Sequence, residues 1–261
     1  GSNLRIKLKL SFEEIANGVN KQVKVKKHVT CTTCGGNGAK DKNSVQTCGT
    51  CNGSGQVTRI TNTILGRMQS SSTCPSCGGS GQVVSNRPSN ADSNGLILKE
   101  ETVLVKIPAG VEDGMQLKVS GKGNDSAGNG IAGDLIVLIS EKEHDTLKRE
   151  GNNLHFDLYI SISEAVLGVS KEIETVTGSV RIKLESGIQS GKILRLRGKG
   201  LSSINSYGNG DLLVHVNVWT PKTLNKEQRV FFEQMKENEN FVPSPDTGEK
   251  SFFEKVKDMF S

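Results

Sequence analysis

Aromatic residues are scarce in this chain: they make up 4% of its 261 residues, with one tryptophan and two tyrosines, and hydrophobic residues of all kinds reach only 34%. So few large apolar side chains do not fill one thick core, and the length suits about two domains instead. Thirty glycines accompany that deficit, which favours an elongated strand-and-turn protein. No apolar run approaches the roughly 20 residues of a membrane span. The first ten residues alternate charge and hydrophobe, so nothing in them reads as a targeting segment. Histidine is rare too, with four in the chain. Neither His nor Glu stands at a spacing suited to metal-assisted hydrolysis, so that chemistry is not expected. The net charge of +5 includes the run Lys21 to Lys27, which alternates with Val23 and Val25. That pattern reads as the solvated face of a strand rather than a nucleic-acid contact.

Against these shortages stand three copies of Cys-x-x-Cys-x-Gly-x-Gly, at Cys31/Cys34, Cys48/Cys51 and Cys74/Cys77, which hold every cysteine in the chain. Glycines recur at identical offsets, as Gly36/Gly38, Gly53/Gly55 and Gly79/Gly81. A metal knuckle turns its backbone so that N–H groups face the thiolates, and residues without a Cβ reach the required positive φ. A tetrahedral zinc takes four thiolates, so two pairs close one site and one pair is left over. Where a fourth copy would fall, Pro88 to Gly95 has the right length and the final glycine but no cysteine. A disulfide framework fits poorly, because the cysteines occupy less than a third of a long chain with no signal peptide before them. Thiol–disulfide exchange stays open as an alternative for a pair without metal. With thiols arranged for metal, a cytoplasmic location is expected.

The chain also repeats itself. Ile107-Pro-Ala-Gly110-Val through Gly121-Lys-Gly123 matches Leu184-Glu-Ser-Gly187-Ile through Gly198-Lys-Gly200 at an offset of 77, which persists to Gly133-Asp134-Leu135 and Gly210-Asp211-Leu212. Asn3-Leu4-Arg-Ile6-Lys-Leu8-Lys-Leu10-Ser11 matches Asn153-Leu154-His-Phe156-Asp-Leu158-Tyr-Ile160-Ser161 at an offset of 150, continuing through Glu14/Glu164 to Gly18/Gly168. The first copy therefore carries 73 extra residues between its halves, and they enclose all six cysteines. Strict alternation over Leu4, Ile6, Leu8 and Leu10 predicts a strand with one buried face. Ser11 and Glu14 predict a capping box opening a short helix that ends at Gly18. Gly121 to Gly133 and Gly198 to Gly210 read as long loops before strands such as Leu135 to Ile139 and Leu212 to Trp219. The expected fold is mainly β: two tandem, duplicated β-sandwich-like domains, the first carrying an inserted zinc-binding cysteine-rich module. The boundaries are 3–30 plus 97–140 for the first domain, 31–96 for the insertion and 141–220 for the second domain.

Residues 221–261 switch to helical character. Asn225 and Gln228 predict a second kind of capped start, with Val230, Phe231, Phe232 and Met235 along one side. A Pro-containing gap at Val242 to Thr247 precedes a last amphipathic turn with Phe252, Phe253, Val256 and Phe260. Aromatics gathered at one end of an aromatic-poor chain call for a partner surface, either the second β-domain or a two-fold dimer contact.

The cysteine array, its place inside the first of two β-domains, and the Ile107-Pro-Ala-Gly110-Val and Arg197-Gly-Lys-Gly200 signatures together resemble the C-terminal part of the DnaJ family, the class A J-domain co-chaperones. The resemblance covers essentially the whole chain. No His-Pro-Asp tripeptide and no Gly/Phe-rich linker occur, so the chain is read as a client-binding fragment that would not itself stimulate a DnaK-type ATPase.

The resemblance implies non-catalytic work: a molecular co-chaperone, not an enzyme, that holds unfolded or nascent polypeptides and delivers them to a DnaK-type chaperone, working as a homodimer through its C-terminus. From composition and charge pattern, no membrane partner and no nucleic-acid partner are expected. It also implies a pairing of the cysteine copies, second with third and first with fourth. Carried onto this chain, Cys48, Cys51, Cys74 and Cys77 hold one structural Zn2+. Cys31 and Cys34 face the positions of Pro88 and Ala91, leaving them free or disulfide-bonded, or part of a second zinc site completed by His28, Asp92 or a neighbouring molecule. The client segment is expected to add as a strand to an exposed edge of the first β-domain. Leu4, Val23, Val25, Leu117 and Leu147 are the expected pocket residues, and Phe231, Phe232, Met235, Phe252 and Phe253 the expected dimerisation residues.

Overall fold

The computed structural model describes residues 1–32, 38–63, 66–92, 95–127 and 130–245. The first repeat opens with β1 (Leu4–Leu10), α1 (Phe12–Asn17) and β2 (Val19–Thr30). The insertion contributes β3 (Val45–Thr47), β4 (Gln56–Thr63), β5 (Gly66–Thr73) and β6 (Gln82–Val84). The first repeat then resumes with β7 (Leu96–Ile107), β8 (Gln116–Val119) and β9 (Leu135–Glu141). The second repeat is β10 (Leu147–Glu150), β11 (Asn153–Ser161), α2 (Ile162–Leu167), β12 (Val169–Thr175), β13 (Gly178–Leu184), β14 (Ile193–Leu196), β15 (Ser202–Ser203), β16 (Ser206–Asn209) and β17 (Leu212–Trp219), with α3 (Lys226–Met235) after it.

The two repeats share a three-stranded core sheet, β1-β9-β8 in the first and β11-β17-β14 in the second, where β10 adds a fourth strand beside β11. β1 runs parallel to β9 with Leu4 opposite Leu135, and β11 runs parallel to β17 with Leu154 opposite Leu212. Both pairings therefore hold the register that the 150- and 77-residue offsets imply. Alternation does the rest: Leu10, Leu135, Val137 and Ile139 in one unit, and Leu154, Ile160, Leu212, Val214 and Val216 in the other, turn into a shared apolar core and are essentially fully buried. Side chains at the intervening positions point away from it.

Each unit adds an antiparallel pair, β2–β7 in the first and β12–β13 in the second. In the second unit the pair closes through a two-residue connection, with Thr175 opposite Gly178. In the first, strands twelve residues long run out to Thr30 opposite Leu96, and the insertion hangs from that tip. The 121–133 loop laces onto the root of the insertion: Asn124 Oδ1 accepts from His28 N and Asp125 Oδ2 from Thr30 N, each at 2.8 Å. Beside it the nearly buried Lys27 ammonium lies 2.9 Å from Glu101, which also holds Lys122 at 3.2 Å. Lys27 first, then Lys122, keep the Glu101 carboxyl below its usual range.

Both short helices start as read from the sequence. Ser11 and Glu14 form a complete capping box, as do Ser161 and Glu164, and Lys21 and Lys171 add ion pairs to the capping glutamates at 2.7 and 2.6 Å. Gly18 ends α1 at φ 70°, where a Cβ would press on Ala109 N at 2.9 Å. One loop differs from expectation. Gly198 to Gly210 contains the hairpin β15–β16, with Ser203 opposite Ser206. The hairpin lies against the first unit, since a Cβ on Gly110 would come within 2.8 Å of the Ser203 backbone. Such packing supplies what glycine-rich composition alone does not predict. Arg149 also joins the units, donating to Val111 O at 3.3 Å and pairing with Glu141. Among the described residues no helix is long and apolar enough to cross a membrane.

Candidate functional site

The insertion is built on a local two-fold relation. Gly53-Ser54-Gly55-Gln56-Val57 recurs as Gly79-Ser80-Gly81-Gln82-Val83, and each segment follows a Cys-x-x-Cys pair. The two knuckles dock reciprocally: Cys48 N donates to Gly81 O and Cys74 N donates to Gly55 O, both at 2.9 Å. Ser54 Oγ donates to Cys51 O at 2.7 Å and Ser80 Oγ to Cys77 O at 2.8 Å, tightening each turn. Thr50 and Ser76 hydroxyls meet across the axis at 2.9 Å. Gly55 and Gly81 each adopt φ 72°, and a Cβ on either would collide with the carbonyl of Gly79 or Gly53 respectively. The glycines are thus required by φ and by close backbone approach together.

This docking brings Cys48, Cys51, Cys74 and Cys77 together, with all four sulfurs within 4.8 Å of one another. Cys48 Sγ and Cys74 Sγ are 3.9 Å apart, Cys51 Sγ and Cys77 Sγ 3.7 Å. A disulfide needs about 2.05 Å. Four thiolates about 2.3 Å from a central zinc stand about 3.8 Å apart along the edges of a tetrahedron, so this donor set fits zinc in spacing and in number. Backbone donors face the sulfurs, Gly55 N to Cys51 Sγ and Gly81 N to Cys77 Sγ, each at 3.3 Å. The Cys48 thiol is drawn down to about 6, chiefly by the Cys51 N–H and then by that of Thr50, against the opposing effect of burial. For Cys77 burial is the largest single influence and raises its value, yet the N–H groups of Gly81 and Gly79 outweigh it and the net direction is down. Burial carries Cys51 upward. Three of the four residues are buried and one is partly so, leaving little room for an open coordination position.

Cys31 stands apart from that group. It is buried, and its N–H donates to Gly95 O at 3.0 Å. Ala91 bridges Ile97, and Asp92 Oδ1 accepts from Leu96 N at 2.9 Å. Ala91, Asp92 and Gly95 of the cysteine-free stretch thus lie beside the strand ends that carry Cys31. Cys34 lies outside the described residues. Among the described residues, the four inner cysteines are the one cluster of three or more ligating groups able to hold a metal.

The five pocket candidates fall into two sets. Leu4 on β1, Val23 on β2 and Leu117 on β8 are half-buried against the core from three strands of the first unit. Val25 on β2 is buried, and so is Leu147 on β10, opposite Phe156 in the second unit's sheet. β1 has a strand neighbour on one side only among the described residues. In α3, Asn225 and Gln228 form the capping box, Phe231 is exposed, and Phe232 and Met235 are half-buried, with the two phenyl rings edge to face at 5.4 Å. Phe252 and Phe253 lie outside the described residues.

Sequence reasoning missed the two-fold docking partners Thr50/Ser76 and Ser54/Ser80, although the repeated Gly-Ser-Gly-Gln-Val segment carries the signal of the second pair. It also missed Asn124 and Asp125, for which a glycine-rich loop offers none.

Comparison with known proteins agrees with this architecture. The family model described as "DnaJ C terminal domain" matches residues 4–221. The "Chaperone protein DnaJ" of Bacteroides fragilis is 47% identical over 260 residues, spanning the whole chain and 66% of that relative. The protein of the same name from Bacteroides thetaiotaomicron is 47% identical over 65% of its length, and that from Chlorobaculum tepidum 41% identical over 65%. The chain therefore spans just under two thirds of these curated relatives. Two β-units built on the same three-stranded core sheet, a four-cysteine knuckle hung from the first, and matches at this level lead to one assignment: the chain belongs to the DnaJ C-terminal domain family.

Proposed function

We propose that the chain is the client-holding part of a molecular co-chaperone. It takes exposed apolar segments of unfolded polypeptides along the free edge of the first unit and delivers them to a DnaK-type chaperone, without catalysing a reaction itself. The observation that carries this reading, beyond family membership, is β1: an edge strand that, among the described residues, has a strand neighbour on one side only, beside the half-buried Leu4, Val23 and Leu117. An added strand gains main-chain hydrogen bonds whatever its sequence, and a shallow apolar surface selects side chains loosely. That combination suits a protein that must accept many sequences.

Zinc, when bound at Cys48, Cys51, Cys74 and Cys77, supplies four metal–thiolate bonds in a module too small for a hydrophobic core. The Gly55 and Gly81 N–H groups stabilise the thiolate charge. The exposed aromatic side of α3 supports pairing of two copies, and the cytoplasm is the compartment in which such thiols stay reduced.

The test is light scattering of a chemically unfolded reporter enzyme diluted into the chain without ATP. Suppression of aggregation is expected, and a Leu4→Asp/Val23→Asp variant that still melts cooperatively should lose it. Full suppression by that variant would move the client surface elsewhere, and none by the unaltered chain would end the proposal.

A further inference from the structure

The outer face of the second unit carries a histidine pair that the client-holding reading does not use. On β11, His155, Asp157 and Tyr159 point away from the core, and on the neighbouring β17 so do Leu213, His215, Asn217 and Trp219. His155 Nδ1 and His215 Nε2 share a hydrogen bond at 2.9 Å, the tautomers setting which ring donates its N–H, and the rings stack at a centroid distance of 5.2 Å. On the far side of the first ring, Nε2 of His155 is shut off from solvent and makes no aligned hydrogen bond, while Glu150 Oε2 on β10 stands 2.9 Å from it.

We propose that His155 and His215 form a second metal-binding site, taking one imidazole-seeking divalent cation of the late first-row transition series between Nδ1 of the one and Nε2 of the other, while the proton these two nitrogens share moves to the other nitrogen of its own ring. Two nitrogens about 2.1 Å from a common ion, bound cis, stand about 3 Å apart, close to the spacing present. Ligating histidines characteristically direct their other ring nitrogen at a carboxylate, which sets the tautomer and leaves the ligating lone pair free. Glu150, whose exposed carboxylate lies 2.9 Å from His155 Nε2, takes that role by turning into line with the ring N–H, and so acts as a positioning residue. Imidazole selects nickel, copper and zinc over magnesium or calcium, and the remaining coordination positions face water.

The surrounding charges tolerate a cation. Arg195 on β14 is paired with Asp211, Asp157 and Glu150 bring negative charge, and Lys148, opposite His155 on β10, is exposed. The duplication provides an internal comparison: at the equivalent positions the first unit has Arg5 and Leu138, which cannot ligate.

A reporter is built in. Trp219, the single tryptophan of the chain, lies on the same face of β17 four residues from His215, about 13 Å along the strand. With the cysteine site loaded with zinc, titration with Ni2+ is expected to quench Trp219 fluorescence at one saturating equivalent in the micromolar range. His155→Gln or His215→Gln should weaken that binding at least about tenfold, and Glu150→Gln several-fold, with thermal midpoints unchanged. In the unaltered chain, Ni2+ should broaden the imidazole NMR signals of His155 and His215 before those of His28 and His144. Quenching that persists in the double histidine variant, saturation only at millimolar Ni2+, or broadening that begins at His28 or His144 would each overturn the proposal.

Discussion

Cys51 Sγ and Cys77 Sγ stand 3.7 Å apart, twenty-six residues separated in sequence, and each accepts an N–H from a glycine four residues further on, Gly55 or Gly81. Too far for a disulfide and right for two corners of a zinc tetrahedron, that distance comes from the docking of two identical turns rather than from either turn alone.

Metal content should follow from it. The purified chain is expected to carry at least one zinc, and chelation should unfold the strands between Val45 and Val84 while the two β-units keep their sheet signal. Their common core contains none of the five cysteines among the described residues, so its burial does not depend on the metal. Elemental analysis with far-UV circular dichroism before and after chelation checks both points; loss of all sheet signal would contradict the separation.

Glycine substitutions should discriminate between positions. Gly55→Ala and Gly81→Ala force a Cβ against a backbone carbonyl at positive φ, whereas a Cβ on Gly49 meets nothing within 4 Å and its φ is not positive. The first two are expected to weaken metal retention against a chromogenic chelator, with Gly49→Ala matching the unaltered chain.

Core and edge should also separate. Leu10 is fully buried, and Leu10→Ala is expected to cost about 2–5 kcal/mol of stability. Leu4→Ala, at a half-buried edge position, should cost less stability and reduce client binding more, as read from denaturant melts and peptide titrations.

Acid should weaken the helix starts. The Lys171 ammonium, then the Ser161 N–H, hold Glu164 below its ordinary value of 4.5. At Glu14 burial is the largest influence and raises the value, but Lys21 and the Ser11 N–H together outweigh it. Folded values below unfolded ones mean stability that is complete above about pH 4.5 and lost as pH falls through the folded values. The thermal midpoint is expected to drop with acidification over that window, and a Glu14→Gln/Glu164→Gln variant should show a shallower drop.

Oligomeric state tests the tail. No residue of α3 is buried within the chain, and Phe231 is half exposed. Phe231→Asp is expected to shift a dimer toward monomer in sedimentation velocity; a monomeric unaltered chain at high concentration would remove the dimer proposal.

Much of the fold was legible because it is periodic. Alternation at Leu4 to Leu10 placed β1, the two offsets placed the insertion, and Ser11/Glu14 and Asn225/Gln228 marked helix starts whose hydrogen bonds span only three residues. The β15–β16 hairpin was not legible, because it leans on the first unit near Gly110, a contact no local pattern announces.

By itself the sequence determined the duplication, the equivalence of Leu4 with Leu154 and of Leu135 with Leu212, and the placing of all six cysteines between the halves of the first copy, since each of these is a matter of spacing along the chain. Only tertiary structure decided that Cys48, Cys51, Cys74 and Cys77 converge, that Cys31 folds against Gly95, and that His155 meets His215 sixty residues away. Convergence of side chains depends on how turns and strands dock, and docking is set by packing and backbone hydrogen bonds between segments that carry no record of one another in their local order.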